Sequence, residues 1–160
     1  KKGTNTDLGV GHALAQARES CRRDEARLTP VRERVLELIW QSHKPLGAYD
    51  VLAQLSADGH KAAPPTVYRA LDFLQQHGLV HRIASLNAFT GCDHPGQHHC
   101  GTFLICRSCG NVLELAAPNV TAAINQAAAA ETFQIEQITL EIAGLCPRCQ
   151  SDSTDQPTPS

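Results

Sequence analysis

Two cysteine pairs carry the strongest chemical signal in this chain: Cys106-Arg107-Ser108-Cys109 and Cys146-Pro147-Arg148-Cys149. The first pair sits in a turn closed by Gly110, between the apolar runs Phe103–Ile105 and Val112–Leu115. That pattern reads as a knuckle, with one strand in, two thiolates at the tip and one strand out. Two such pairs complete a closed tetrahedral shell with no open position, which suits a structural zinc ion rather than a catalytic one. A redox Cys-x-x-Cys or free core cysteines would explain one pair but leave the other a coincidence. The 36 residues between the pairs are long enough for a strand, a helix and a returning strand.

A second group of possible ligands precedes and follows the knuckle: His81, Cys92, His98, His99 and Glu114. One thiolate, imidazoles and a carboxylate suit zinc. Each histidine taken alone could equally be a solvated loop residue. Cys21 and Cys100 remain, the former expected as a small buried helix residue.

A third group reads as nucleic-acid contacts. Thr66, Tyr68 and Arg69 fall in the first turns of a helix that starts at Pro64-Pro65, and Tyr49 opens the helix before it. In a helix-turn-helix the second helix presents its N-terminal residues to base edges in the major groove. Arginine can pair with guanine O6 and N7 through two parallel hydrogen bonds. Arg22, Arg27, Arg32 and Lys61 are candidate phosphate contacts. An ordinary solvated helix face would look much the same.

The elements that must position these groups follow from pattern. A first helix is expected from Gly11 to about Arg22, after a loose stretch to Val10. Thr29-Pro30 starts a second helix, with Thr29 as N-cap and Pro30 at the first helical position. Val31, Val35, Leu38 and Ile39 mark its inner face. A third helix is expected over 48–57, with Val51, Leu52 and Leu55 inward. The fourth starts at Pro64, buries Val67, Ala70, Leu71 and Leu74, and stops at Gly78. Strands over 80–83 and 88–90 then form a hairpin. Three helices followed by a hairpin is the order of a winged helix-turn-helix. Beyond the knuckle a helix runs from Pro118 to about Ala130, and Phe133–Ile142 alternates like a strand, bulged at Glu136-Gln137.

The reading is an α+β chain with five segments: a flexible N-terminus over 1–10, a winged-helix DNA-binding domain over 11–90, a connector over 91–101, a zinc-binding domain over 102–150, and a disordered tail over 151–160.

The net charge of −2 conceals an asymmetry. Residues 1–86 hold 12 lysines and arginines against 9 acids, and residues 87–160 hold 2 against 7. The basic half is the one suited to phosphates. Only 4% of residues are aromatic, so a small core gains from a metal staple. No N-terminal apolar run resembles a signal peptide, and no segment approaches the ~20 apolar residues of a membrane span. A reducing, cytoplasmic setting is expected, where paired cysteines bind metal. No glycine-rich phosphate loop, Gly-x-Ser-x-Gly or His-Glu-x-x-His occurs, so neither an enzyme nor a small-molecule substrate is expected, and no residue is assigned a catalytic role.

Leu28-Thr29-Pro30-Val31-Arg32, Ala48-Tyr49-Asp50, Pro64-Pro65-Thr66-Val67-Tyr68-Arg69-Ala70-Leu71 and Cys106-Arg107-Ser108-Cys109-Gly110 resemble the ferric uptake regulator family. The run continuing to Leu74 and the ending Gly144-Leu145-Cys146-x-x-Cys149 resemble its zinc uptake regulator branch. The resemblance covers about residues 12–150. It implies a homodimer with an N-terminal winged helix and a small C-terminal α/β dimerisation domain carrying a four-cysteine zinc site. It further implies a zinc-dependent repressor of zinc-acquisition genes that binds an AT-rich palindromic operator in double-stranded DNA.

Carried over by position, Cys106, Cys109, Cys146 and Cys149 match the structural site, and His81, Cys92 and Glu114 match a regulatory site, giving two Zn2+ per chain. The fourth regulatory ligand is a histidine. Seven residues before Cys106 stands His99, and a connector one residue shorter than in the relative gives His98 instead. Tyr49, Tyr68 and Arg69 match DNA contacts. Iron and peroxide sensors of the family carry His-Asp-His before Leu-Ile-Cys, where this chain has Thr102-Phe103 at the last two positions. That departure favours zinc. An Asp and Arg that link neighbouring dimers in some relatives are Ala53 and Ser56 here. The alternatives are an iron or peroxide sensor of the same family, and a zinc-dependent enzyme using the histidine-rich connector.

Overall fold

A computed structural model describes residues 6–92 and 101–153, which fall into two compact units. In the first unit α1 (Thr6–Arg23), α2 (Pro30–Gln41), α3 (Ala48–Ala57) and α4 (Pro64–Gln76) precede the hairpin β1 (Val80–Ile83) and β2 (Ala88–Gly91). Thr29 caps α2, its hydroxyl accepting from the Arg32 amide at 3.4 Å, and Pro30 fills the first helical position, where a missing N–H costs nothing. Thr29→Ala should therefore lower stability by about 1 kcal/mol. A urea melt would show it as a lower midpoint at unchanged slope, and an unmoved midpoint would mean the cap is dispensable.

The inner faces of these helices meet in one core. Val35, Leu36, Val51, Leu55, Val67, Leu71 and Leu74 are fully buried in it, with Leu79 and Val80 beneath. Leu52 packs at its margin rather than inside. α4 ends on Gly78, whose φ of 67° lets the Leu79 amide reach back to the Leu74 carbonyl at 2.9 Å. The hairpin pairs Val80 with Gly91 and His81 with Thr90, and Leu46 adds a bridge to Phe89 that the sequence pattern does not suggest.

α1 begins earlier than its pattern suggests. Of the stretch expected to be loose over 1–10, residues 6–10 are helical and Val10 is buried, while residues 1–5 lie outside the described residues. Val10, Ala13, Ala17 and Cys21 form one buried stripe, so helical packing overrides the two glycines at 9 and 11.

The second unit is a three-stranded sheet with order β4-β3-β5, built from β3 (Gly101–Cys106), β4 (Val112–Glu114) and β5 (Thr139–Gly144). β3 and β4 are the antiparallel arms of the knuckle. α5 (Pro118–Ala130) carries the chain over so that β5 returns parallel to β3. The strand expected over Phe133–Ile142 is thus displaced to Thr139–Gly144. Thr132 takes a φ of 54° and the Phe133 amide bonds the Ala128 carbonyl at 2.9 Å, so this stretch is still closing α5. β3 also offers only six positions, all taken by Thr139–Gly144. A last helix, α6 (Pro147–Ser153), includes Ser151–Ser153, which the sequence reading places in a disordered tail. No described helix is long and apolar enough to cross a membrane.

Candidate metal centre and nucleic-acid interface

The β3–β5 register assembles the four cysteines. Cys106 is the last residue of β3 and pairs with Gly144, the last of β5. Two residues beyond Gly144, Cys146 reaches the knuckle, and Cys149 follows on the first turn of α6. The Arg107 amide bonds the Gly144 carbonyl at 2.9 Å, and the Gly110 amide bonds the Cys106 carbonyl at 3.0 Å, which closes the tip. One sulfur from each of Cys106, Cys109, Cys146 and Cys149 then lies within 4.8 Å of the other three.

The electrostatics of this cluster call for a cation. Backbone amides of Cys109 and Cys146, the latter at 3.3 Å, pull the Cys106 thiol down to about 6 against partial burial. At Cys149 the Ser108 hydroxyl favours the thiolate. The Cys146 sulfur, burial and the sulfurs of Cys106 and Cys109 outweigh it and push the thiol up to about 11. A cation among the sulfurs would offset this mutual repulsion. A closed set of four sulfurs fits Zn2+. Ser108 joins the site as a polar neighbour of Cys149 that motif reading passed over, although its place between the two cysteines was the available signal.

The regulatory candidates are placed as follows. His81, half-buried on β1, and buried Cys92, just after β2, offer ligand atoms within 4.8 Å of each other. The Cys92 amide is tied to the Leu79 carbonyl at 3.1 Å. Imidazole and thiolate at that separation suit zinc. Glu114 ends β4 in the second unit, opposite Phe103. His98, His99 and Cys100 lie outside the described residues.

The nucleic-acid candidates are all exposed residues of the first unit. α4 buries Val67, Ala70, Leu71 and Leu74 and leaves Thr66, Tyr68 and Arg69 outside. Tyr49 opens α3 and is 73% exposed, and Tyr68 is 45% exposed. Arg69 makes no ion pair among the described residues, so its charge is not spent on the fold.

A helix-turn-helix with a β-hairpin wing, followed by a sheet that gathers four cysteines, defines a metal-binding winged-helix protein. The ferric uptake regulator family model matches residues 23–143, and the chain belongs to that family. The zinc uptake regulation protein of Escherichia coli strain K12 is 40% identical over 139 residues, spanning 85% of this chain and 80% of that protein. A solved zinc uptake regulator complexed with zinc and DNA matches with a TM-score of 0.86 at 36% identity, covering 96% of this chain and 99% of that one. The crystal structure of holo XcZur matches with a TM-score of 0.80 at 41% identity, covering 86% and 96%.

Proposed function

We propose that this protein is a zinc-sensing, DNA-binding transcriptional repressor that shuts down zinc-uptake genes when its regulatory zinc is bound. The observation that carries the reading is the similarity, over 96% of the chain, to a zinc uptake regulator complexed with zinc and DNA. The working form is a cytoplasmic homodimer on a palindromic, AT-rich operator, with two zinc ions per chain and no catalytic role.

Each residue group has one task. Cys106, Cys109, Cys146 and Cys149 hold the structural zinc and lock β3, β5 and α6 together. His81, Cys92, Glu114 and the connector histidine His99 hold the regulatory zinc. When bound, this ion would be held by one thiolate, two imidazoles and one carboxylate, a donor set that suits zinc. The thiolate of Cys92 selects zinc over iron or manganese, which counts against an iron or peroxide sensor. Thr66, Tyr68 and Arg69 of α4, with Tyr49 of α3, meet the DNA. Dimerisation falls to the second unit. Leu113 and Ile142 flank Leu104 across one sheet face and are 60% and 48% exposed, and α5 buries none of its residues. Such a face is what a second copy would cover.

By linkage, whatever zinc adds to DNA affinity DNA adds to zinc affinity, typically about 1–3 kcal/mol per site. Cys92→Ser should remove that gain. Binding of the dimer to a duplex selected by the wild-type protein from a randomised pool, measured across buffered zinc, would become flat for the variant. Metal analysis should still find the structural zinc. A variant that kept the wild-type zinc dependence would refute the sensing role of Cys92.

A further inference from the structure

Trp40 is the sole tryptophan of the chain, near the C-terminal end of α2 and packed against the first unit's core. Its indole occupies the space where a side chain at Gly91 would begin. A Cβ at Gly91 would lie 2.5 Å from Trp40 Cε2 and 2.6 Å from Nε1, closer than such atoms approach in proteins. Glycine is therefore required at 91 for a steric reason, and the end of β2 rests directly on the indole. The next residue is Cys92, whose amide bonds the Leu79 carbonyl at 3.1 Å. Leu79 is itself buried in the core at the end of α4. The Cys92 backbone is thus fixed by a hydrogen bond on its own amide and by an aromatic plane against the residue before it.

We propose that Trp40 is a positioning residue for the regulatory metal: its contact with Gly91 holds the end of β2 where the Cys92 sulfur stands beside His81. This rests on the reading of His81 and Cys92 as metal ligands. A side chain of α2, the helix that also packs on α4, thereby sets the zinc affinity of a site at the base of the wing. Supporting groups behind a metal ligand commonly change affinity by about 10–100-fold when removed.

The test uses full-length, zinc-loaded dimers of the wild type, Trp40→Phe, Trp40→Ala, Gly91→Ala and Trp40→Ala/Gly91→Ala. The labile zinc is titrated against a competing chelator, the structural zinc is counted by metal analysis, and thermal midpoints are recorded. Trp40→Ala should weaken the labile zinc about 10-fold while retaining the structural zinc, with Trp40→Phe between it and the wild type. Gly91→Ala should weaken it too, and by less in the Trp40→Ala background, because the clash has gone. A Trp40→Ala protein with a lowered midpoint but unchanged labile-zinc affinity would overturn the proposal and leave Trp40 a core residue. In the wild type, removing the labile zinc with a mild chelator should shift Trp40 emission, and unchanged emission would count against it. Cys92→Ser serves as the control: if it leaves the labile zinc unaffected, the ligand assignment fails first, and the positioning role with it.

Discussion

Cys106→Ser will leave the second unit without metal and unfolded. A serine hydroxyl is a poor zinc ligand, and three thiolates do not close a tetrahedron. The Cys106 sulfur also accepts the Cys146 amide at 3.3 Å. Structural zinc contributes about 10–16 kcal/mol at neutral pH, against a whole-domain stability of about 5–15 kcal/mol. The loss therefore exceeds what the sheet can withstand, given that α5 buries nothing among the described residues. The first unit has its own core and should survive. Metal analysis should show the structural zinc gone, light scattering should show the dimer lost, and a thermal melt should retain one transition. A variant that stayed dimeric and metal-loaded would show that the cysteine cluster is not the unit's staple.

Arg69→Ala acts in the first unit and should leave the fold alone. Arg69 is exposed on α4 and has no ion pair among the described residues, so its loss strands no buried partner. A bidentate arginine–guanine contact discriminates by about 1–3 kcal/mol, and the proposed dimer would make it twice, so affinity for the selected duplex should fall by about 2–6 kcal/mol. Binding to a scrambled duplex should fall far less, because that binding comes from phosphate neutralisation. Zinc content and thermal midpoint should not change. Equal losses on both duplexes would make Arg69 a phosphate contact, and no loss would take α4 out of recognition.

Much of the fold was legible because its signals are local. Pro64, Thr29-Pro30 and Pro118 mark helix starts by chemistry acting within one turn. Gly78 ends α4 for a reason visible in its own φ. The four cysteines were legible by spacing alone. The start of α1 was not, because Gly9 and Gly11 argue against helix while the buried stripe through Val10 argues for it, and only packing decides. The strand after α5 was misplaced because the alternation from Phe133 onward satisfies a strand pattern while β3, a distant partner, offers room only from Thr139. The indole over Gly91 joins two elements 51 positions apart and left no local mark. The cysteine cluster is legible because its spacing is local, whereas Ser108 beside Cys149 and Trp40 against Gly91 leave no such pattern.

The pairing of Cys106 with Gly144 makes the cysteine cluster depend on residues far apart along the chain. The winged-helix unit lies wholly upstream and can fold while the ribosome is still translating the rest. The knuckle emerges next with only two of its four sulfurs, and it must wait for α5, β5 and Cys149 before it can close around an ion. A chain broken off before Cys146 would carry the whole first unit but only two of the four sulfurs of the cysteine cluster.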